Sequence, residues 1–174
     1  MEVLEAIETR QSCRAYAPKP VEKEKLLRIL EAASLAPSAC NSQPWSITVA
    51  EQPETVAKTA EAIMHSGINK FAPQVPVFLA LVEEPARLIG SREPNQKFAQ
   101  GDIGILAAHL CLAARDQGLS TCILGGFVEE EIKQVLQSPA ERTVRLLIAV
   151  GYAAEDAVLR PKKRKSLDDF VRFL

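Results

Sequence analysis

The sequence predicts a mixed fold of helices and strands, α/β or α+β, in a single domain. Three observations carry this reading. Stretches with helical spacing of apolar residues are interspersed with short β-branched or continuously apolar runs. No internal repeat and no domain-length linker divides them. The chain has 174 residues, enough to bury about 70% of its unfolded surface without metals or disulfides. Apolar residues make up 47% and charged residues 25% of the chain, ordinary values for a soluble globular protein. Aromatics are only 5%, while Ala, Leu, Val and Ile abound, so the expected core is aliphatic and helix-rich.

The elements follow in order. Val3, Leu4 and Ile7 share one helical face, which predicts a first helix over residues 2 to about 10. Ala17-Pro-Lys-Pro20 breaks the chain, and a second helix follows over 23 to about 35, with Leu26, Leu27, Leu30 and Ala33 inward. Ser46 to Ala50 alternates and is β-branched, a strand. A third helix is expected over 53–65. The continuous apolar run 75–82 reads as a strand buried on both faces, its prolines leaving only the middle for a ladder. Residues 91–96 are a polar loop. Residues 97–117 form the longest helix, with Phe98, Ile103, Ile105, Leu106, Leu110 and Leu112 on nearly every side. Such a helix is buried by the protein itself or by a second subunit. A short strand over 121–124 runs into Gly125-Gly126, a helix over 129–136 follows, and a strand over 144–150 ends at Gly151. The tail is basic, then amphipathic, with Leu167, Phe170, Val171 and Leu174 at helical spacing.

Composition narrows the function classes. A formal net charge of −1 favours neither nucleic acid nor an anionic membrane. No apolar run approaches the roughly 20 residues that span a bilayer. The acidic amphipathic start, Met1-Glu-Val-Leu-Glu, does not resemble a signal peptide. Cys13, Cys40, Cys111 and Cys122 show no CxxC spacing, so reduced thiols and a cytoplasmic location are expected.

The stretch from Ala36 to Trp45 is the most informative. Between two prolines lie small and amide-bearing side chains, and Asn41 and Gln43 each offer a donor and an acceptor on a short arm. Two apart in an extended loop, they can face the same way and bind a flat polar heterocycle or a polyol. Near the N-terminus Arg10, Ser12 and Arg14 alternate, and two guanidinium groups flanking a hydroxyl suit a phosphate dianion. The plainer alternative is a helix end with exposed arginines. Five cations fall in the six positions from Arg160 to Lys165. These form a solvated tail, a nucleic-acid patch without the usual interleaved aromatics, or side chains folding back onto a phosphate held by Arg10 and Arg14. The glycine pair after a strand permits positive φ and close approach of backbone N–H groups to a ligand, or is a plain turn. His65 and His109, the only histidines, lack metal-ligand spacing, and His109 reads as a satisfied core residue. Cys40 has no evident base to activate it. Ligand-gripping residues without catalytic apparatus are what a cofactor enzyme presents.

These segments, in this order, resemble the FMN-dependent nitroreductase family. The likeness rests on Arg10-Gln-Ser-Cys-Arg14, on Pro37-Ser38 with Asn41-Ser-Gln-Pro-Trp45, on Ile123-Leu124-Gly125-Gly126, and on Pro161-Lys-Lys-Arg164. It spans nearly the whole chain. The resemblance implies an α+β three-layer sandwich with a mostly antiparallel sheet flanked by helices. It implies a homodimer with FMN at the interface and the helix over 97–117 as a main dimer element. Arg10, Ser12 and Arg14 would hold the phosphate and ribityl end of FMN, joined by Lys162 and Arg164. Asn41 and Gln43 would bond the ribityl chain or flavin edge, and Pro37 and Ser38 would reach it from the second subunit. Backbone along Leu124, Gly125 and Gly126 would approach flavin N5. The implied reaction is ping-pong, from NADH or NADPH to a small acceptor such as a nitroaromatic or quinone. The alternative is a non-catalytic FMN-binding protein for sensing or storage. The segment between Val82 and Lys97 leaves little room for the insertion that covers the pocket in larger relatives, so an open pocket is expected.

Overall fold

The computed structural model describes residues 2–174. In chain order the elements are helix α1 (Val3–Thr9), helix α2 (Lys23–Ser34), strand β1 (Trp45–Ala50), helix α3 (Pro53–Met64), strand β2 (Val77–Glu83), helix α4 (Ala99–Asp116), strand β3 (Ser120–Leu124), helix α5 (Glu129–Leu136) and strand β4 (Thr143–Gly151). Short 3-10 turns precede β1, β2 and α4. Each boundary has a local cause. Pro53 sits in the first turn of α3, where its missing N–H costs nothing. Gly118 takes φ +73° just past α4, a conformation that ends helices and suits glycine.

The four strands form one antiparallel sheet in the order β1-β2-β4-β3. All seven residues of β2 are buried, and its pairing with β4 runs from Val77 through Glu83, beyond the middle segment expected from the flanking prolines. Alternation along β2 divides two cores. Phe78, Ala80 and Val82 face the layer of α3 and α5. Val77, Leu79 and Leu81 face the layer of α2 and α4. The result is helix layer, sheet, helix layer, the α+β sandwich.

A bulge between Leu81 and Val82 leaves Arg145 as the extra residue of β4. Because of it, Val144 and Leu146, two apart, pack into opposite cores. Arg145 Nε donates to the buried carboxylate of Glu83. Gln96 Nε2 reaches the other oxygen of Glu83 at 2.7 Å, and Gln96 Oε1 accepts from Ala86 N–H at 2.6 Å. This network ties the connection between β2 and α4 to the sheet. Burial acts to raise the Glu83 carboxyl, but hydrogen bonds from Arg145 and Gln96 outweigh it and hold it below its usual value. The stabilisation from a depressed carboxyl is present above its unfolded pKa, about 4.3, and is lost as pH falls through the folded value. Glu83→Gln is therefore expected to lower the urea midpoint at neutral pH and to flatten its fall below that range. An unchanged acid limb would show that Glu83 does not set it.

Several expectations are corrected. Leu27 is exposed, because Leu26, Ile29 and Ala33 define the stripe of α2 and Leu27 lies a quarter-turn off it. Val3, Leu4 and Ile7 are exposed, and α1 buries only Ala6. On α4, Ile103, Leu106 and Leu110 are buried, while Ile105 lies open, as does Phe98 in the 3-10 turn just before it. His109 is half-buried outside both cores, its ring nitrogen 3.0 Å from the Ile105 carbonyl. The helical spacing of the tail gives no α-helix: a single 3-10 turn, Leu167–Asp169, is closed by reciprocal Ser166 and Asp169 bonds, and its apolar residues stay exposed. Among the described residues no helix is long and apolar enough to cross a membrane.

Candidate functional site

The two basic clusters meet through backbone pairing. After Thr9 the chain leaves α1, with Arg10 at φ −62° and ψ 130°, and runs extended. Ser12 bridges Thr121 on the exposed edge of β3, and Cys13 N–H donates to the Thr121 carbonyl at 2.9 Å. The tail returns antiparallel along this segment. Tyr16 pairs with Ala153, Gln11 Nε2 donates to the Val158 carbonyl at 3.1 Å, and Lys162 Nζ reaches the Ile7 carbonyl. Arg160 closes the clasp, donating from its backbone N–H to Gln11 Oε1 at 3.1 Å and from Nη2 to the Ser12 carbonyl at 2.7 Å.

This pairing brings Arg10, Lys162 and Arg164 to one cavity of about 570 Å³, with Gly104 and Ala108 of α4 and Ile123 of β3. Gly104 is exposed, and a Cβ placed on it would meet nothing within 4 Å. The volume falls in the range of small-molecule sites. None of the three cations has an ion-pair partner among the described residues. Lys162 is pushed below its usual pKa by burial, then by the charges of Arg10 and Arg164. The nearby thiols offer no counter-charge. Burial raises Cys111, which lines the cavity, against the pull of Arg10, and it raises Cys122 against Arg14 and Ser12. Both therefore stay neutral at pH 7. Glu8 is the one carboxylate in the lining and partly offsets the charge on Lys162, so three cations against one acid leave the cavity net positive.

Ser12 and Arg14 continue past the cavity along the same strand edge. Arg14 is exposed and close enough to act on Cys122, but it does not line the cavity. Leu124 is buried at the end of β3. The glycine corner differs from expectation: neither Gly125 nor Gly126 takes a positive φ. Close approach favours glycine at 126, since a Cβ there would come 2.3 Å from Ile68 Cδ1 and that exposed side chain would have to turn away. At exposed Gly125 a Cβ would meet nothing within 4 Å, so the backbone there is open.

The amide loop is built from strained backbone. Cys40, Asn41 and Gln43 all have φ between 44° and 53°, in the left-handed region. Gln43 Nε2 donates to the carbonyl and to Oδ1 of Asn41, both at 3.1 Å. That leaves Asn41 Nδ2 as a donor and Gln43 Oε1 as an acceptor, both on exposed side chains. Ser38 Oγ accepts the Gln43 N–H at 2.9 Å. The loop does not join the cationic cavity. Pro37 and Ser38 line another, of about 610 Å³, with Lys97, Phe98, Gly101 and Asp102. Within one chain the two halves of the expected site are separate.

Sequence reasoning missed three contributors: Asp102, the Gln11–Arg160 clasp, and the small pair Gly104 and Ala108. Only Asp102 left a signal, as a lone acid near the start of an apolar helix. Among the described residues no group of His, Cys, Asp and Glu side chains is placed to hold a metal ion.

The sequence profile of the Nitroreductase family matches residues 7–152. The chain is 31% identical to the NADH dehydrogenase of Thermus thermophilus, over 93% of this chain and 91% of that protein. A solved nitroreductase family protein from Streptococcus pneumoniae aligns with a TM-score of 0.85 at 26% identity, covering 99% of this chain and 100% of its own. An oxidoreductase described as containing FMN aligns with a TM-score of 0.81 at 27% identity, covering 96% and 89%. A family match over most of the chain, on a sandwich whose two termini pair beside β3, establishes that the protein belongs to the nitroreductase family.

Proposed function

We propose that the protein is an FMN-dependent oxidoreductase that takes hydride from NADH or NADPH and delivers it to a small acceptor such as a nitroaromatic or quinone. One observation carries the reading: Arg10, Lys162 and Arg164, from opposite ends of the chain, converge on one cavity whose lining holds a single carboxylate, Glu8, too few to neutralise them. Like charges brought together at a cost in repulsion call for an anion, and a phosphate monoester fits two guanidinium groups and an ammonium. The NADH dehydrogenase and FMN-containing relatives agree with this choice.

FMN, when bound, supplies reversible hydride transfer at N5, so the chain's own groups need only bind and orient. Arg10, Lys162 and Arg164 take the phosphate, and Ser12 and Arg14 follow along the ribityl direction. Gly125, with no Cβ, leaves its backbone accessible beside the reacting edge, and a backbone donor there favours developing negative charge. Asn41 and Gln43 offer a donor and an acceptor to the heterocycle.

Because Pro37, Ser38, Asn41 and Gln43 sit apart from the cationic cavity, we assign them to the FMN of a second subunit. The exposed Phe98, Ile105 and Ile123, and the apolar tail through Phe170 and Phe173, supply surface for such a homodimer. Four unpaired cysteines suit a reducing, cytoplasmic setting.

The protein is expected to purify yellow, or to become so on adding FMN, and the bound flavin should bleach anaerobically with NADH or NADPH. A colourless protein whose melting temperature FMN leaves unchanged would overturn the proposal. Bound flavin that neither nicotinamide bleaches would point instead to sensing or storage.

A further inference from the structure

Asp102 is 6% exposed, in the first turn of α4, and both its carboxylate oxygens lie 3.2 Å from the Ala39 N–H. No cation pairs with it among the described residues. Burying a carboxylate is costly unless it is well bonded, and here one backbone N–H and the helix N-terminus are what it has. The segment it grips is itself unfavourable. Three non-glycine residues of four, from Cys40 to Gln43, are left-handed, and each such residue costs of order 1–3 kcal/mol. Ser42 Oγ is buried with no partner. The loop's other ties are mostly local: the Ser38–Gln43 and Gln43–Asn41 bonds, backbone bonds from Asn41 N–H to the Ser38 carbonyl and from Ser42 N–H to the Ala39 carbonyl, both at 3.0 Å, and the Trp45 N–H on the Gln43 carbonyl at 2.7 Å where β1 begins. A long contact runs from Ile89 N–H to Cys40 Sγ at 3.5 Å. A strained loop with an orphaned hydroxyl persists only when something outside it fixes its position.

We propose that Asp102 is the positioning residue of the amide loop: its carboxylate, by taking the Ala39 N–H, holds residues 38–43 in the left-handed form that presents Asn41 and Gln43 to the flavin. This rests on the FMN reading for what the loop presents to, but not for the anchoring itself. The bond joins the longest helix to the binding loop, so α4 sets the loop's place without touching the ligand.

Loop order has a ligand-independent reporter. Cys40 is exposed while Cys13, Cys111 and Cys122 are buried, so a maleimide applied to the native protein without FMN reads Cys40. Asp102→Ala is expected to speed this labelling about 10-fold or more, the loss of one hydrogen bond to a charged acceptor. Asp102→Asn keeps an acceptor and stays near wild type. Ala39→Pro removes the donor and sets its ring Cδ against the carboxylate, is compatible with the extended backbone of Ser38 at ψ 156°, and should reproduce the alanine variant. With FMN added, Asp102→Ala and Ala39→Pro should weaken binding and alter the visible circular dichroism of the flavin, and Asp102→Asn should restore both. Wild-type labelling rates in Asp102→Ala and Ala39→Pro would overturn the proposal. Faster labelling with unchanged flavin binding and dichroism would overturn the loop's part in presenting to the flavin. A wild type that never binds FMN would sink the functional reading while the labelling still decides the anchor.

Discussion

Arg10→Ala is expected to weaken FMN binding by roughly 10- to 150-fold, the loss of a charge-assisted hydrogen bond at about 1.5–3 kcal/mol. Arg10 shares the cavity with Lys162 and Arg164, whereas Arg14 does not. Folding stability should not fall with it. In the free protein Arg10 has no ion-pair partner among the described residues, and its charge opposes that of Lys162. Removing it relieves repulsion. Arg10→Lys should recover part of the affinity, since it restores the charge without the planar fork. Lys162 adds a pH dependence. An anion in the cavity raises the lysine's depressed pKa, so the protonated form binds better and affinity drops as pH rises through the free-state value. Flavin fluorescence titrations of the three proteins across alkaline pH measure both effects. An unchanged dissociation constant for Arg10→Ala would remove these cations from the phosphate site.

How much of this the sequence reveals depends on the range of the physics involved. Local rules locate α5 to the residue, start α3 at Pro53, and mark β2 as a continuous apolar run. Both cationic clusters are visible as composition. Their meeting is not, because it depends on residues 7–16 pairing with 153–162 across the whole chain. Only the resemblance to a family brings them together in advance. The errors are equally physical. Helical spacing alone cannot choose between Leu27 and Ile29, since tertiary packing selects the stripe. The glycine corner was legible as a corner, but its cause at Gly126 is a side chain 58 positions earlier, Ile68. The tail has the spacing of a helix and lacks a core to bury it against in one chain, so the pattern is not realised. Asp102 shows the same limit at the site, because its single partner is a backbone N–H from another element.

Phe78→Ala should be the most destabilising single change in the sandwich, by about 3–5 kcal/mol. Phe78 is the largest of the fully buried side chains and lies on β2 opposite Ala50 and Ala149. Its core mixes small residues, Ala50, Ala60, Ala72 and Ala149 among them, with larger ones such as Ile63, Phe71, Ile132 and Leu147. The two alanines paired with it across the sheet cannot move inward to fill a phenyl-sized void, because their Cβ atoms are fixed by sheet backbone. The site therefore pays both the lost transfer free energy and nearly the full cavity term. Against a total of about 5–15 kcal/mol, this consumes much of the fold's margin. Denaturant titration should show a lower midpoint with an unchanged slope, the mark of altered stability in the same folded state. Phe78→Leu, which leaves a smaller void, should fall between the two. Where Phe78→Ala remains folded at low temperature, FMN should bind it with near wild-type affinity, since Phe78 lines neither the cationic cavity nor the one beside the amide loop. Arg10→Ala should do the reverse, keeping stability and losing ligand. Matching losses of stability and of intrinsic FMN affinity in both variants would mean that core and site are not separable, and that the cationic cavity is part of what holds the sandwich together.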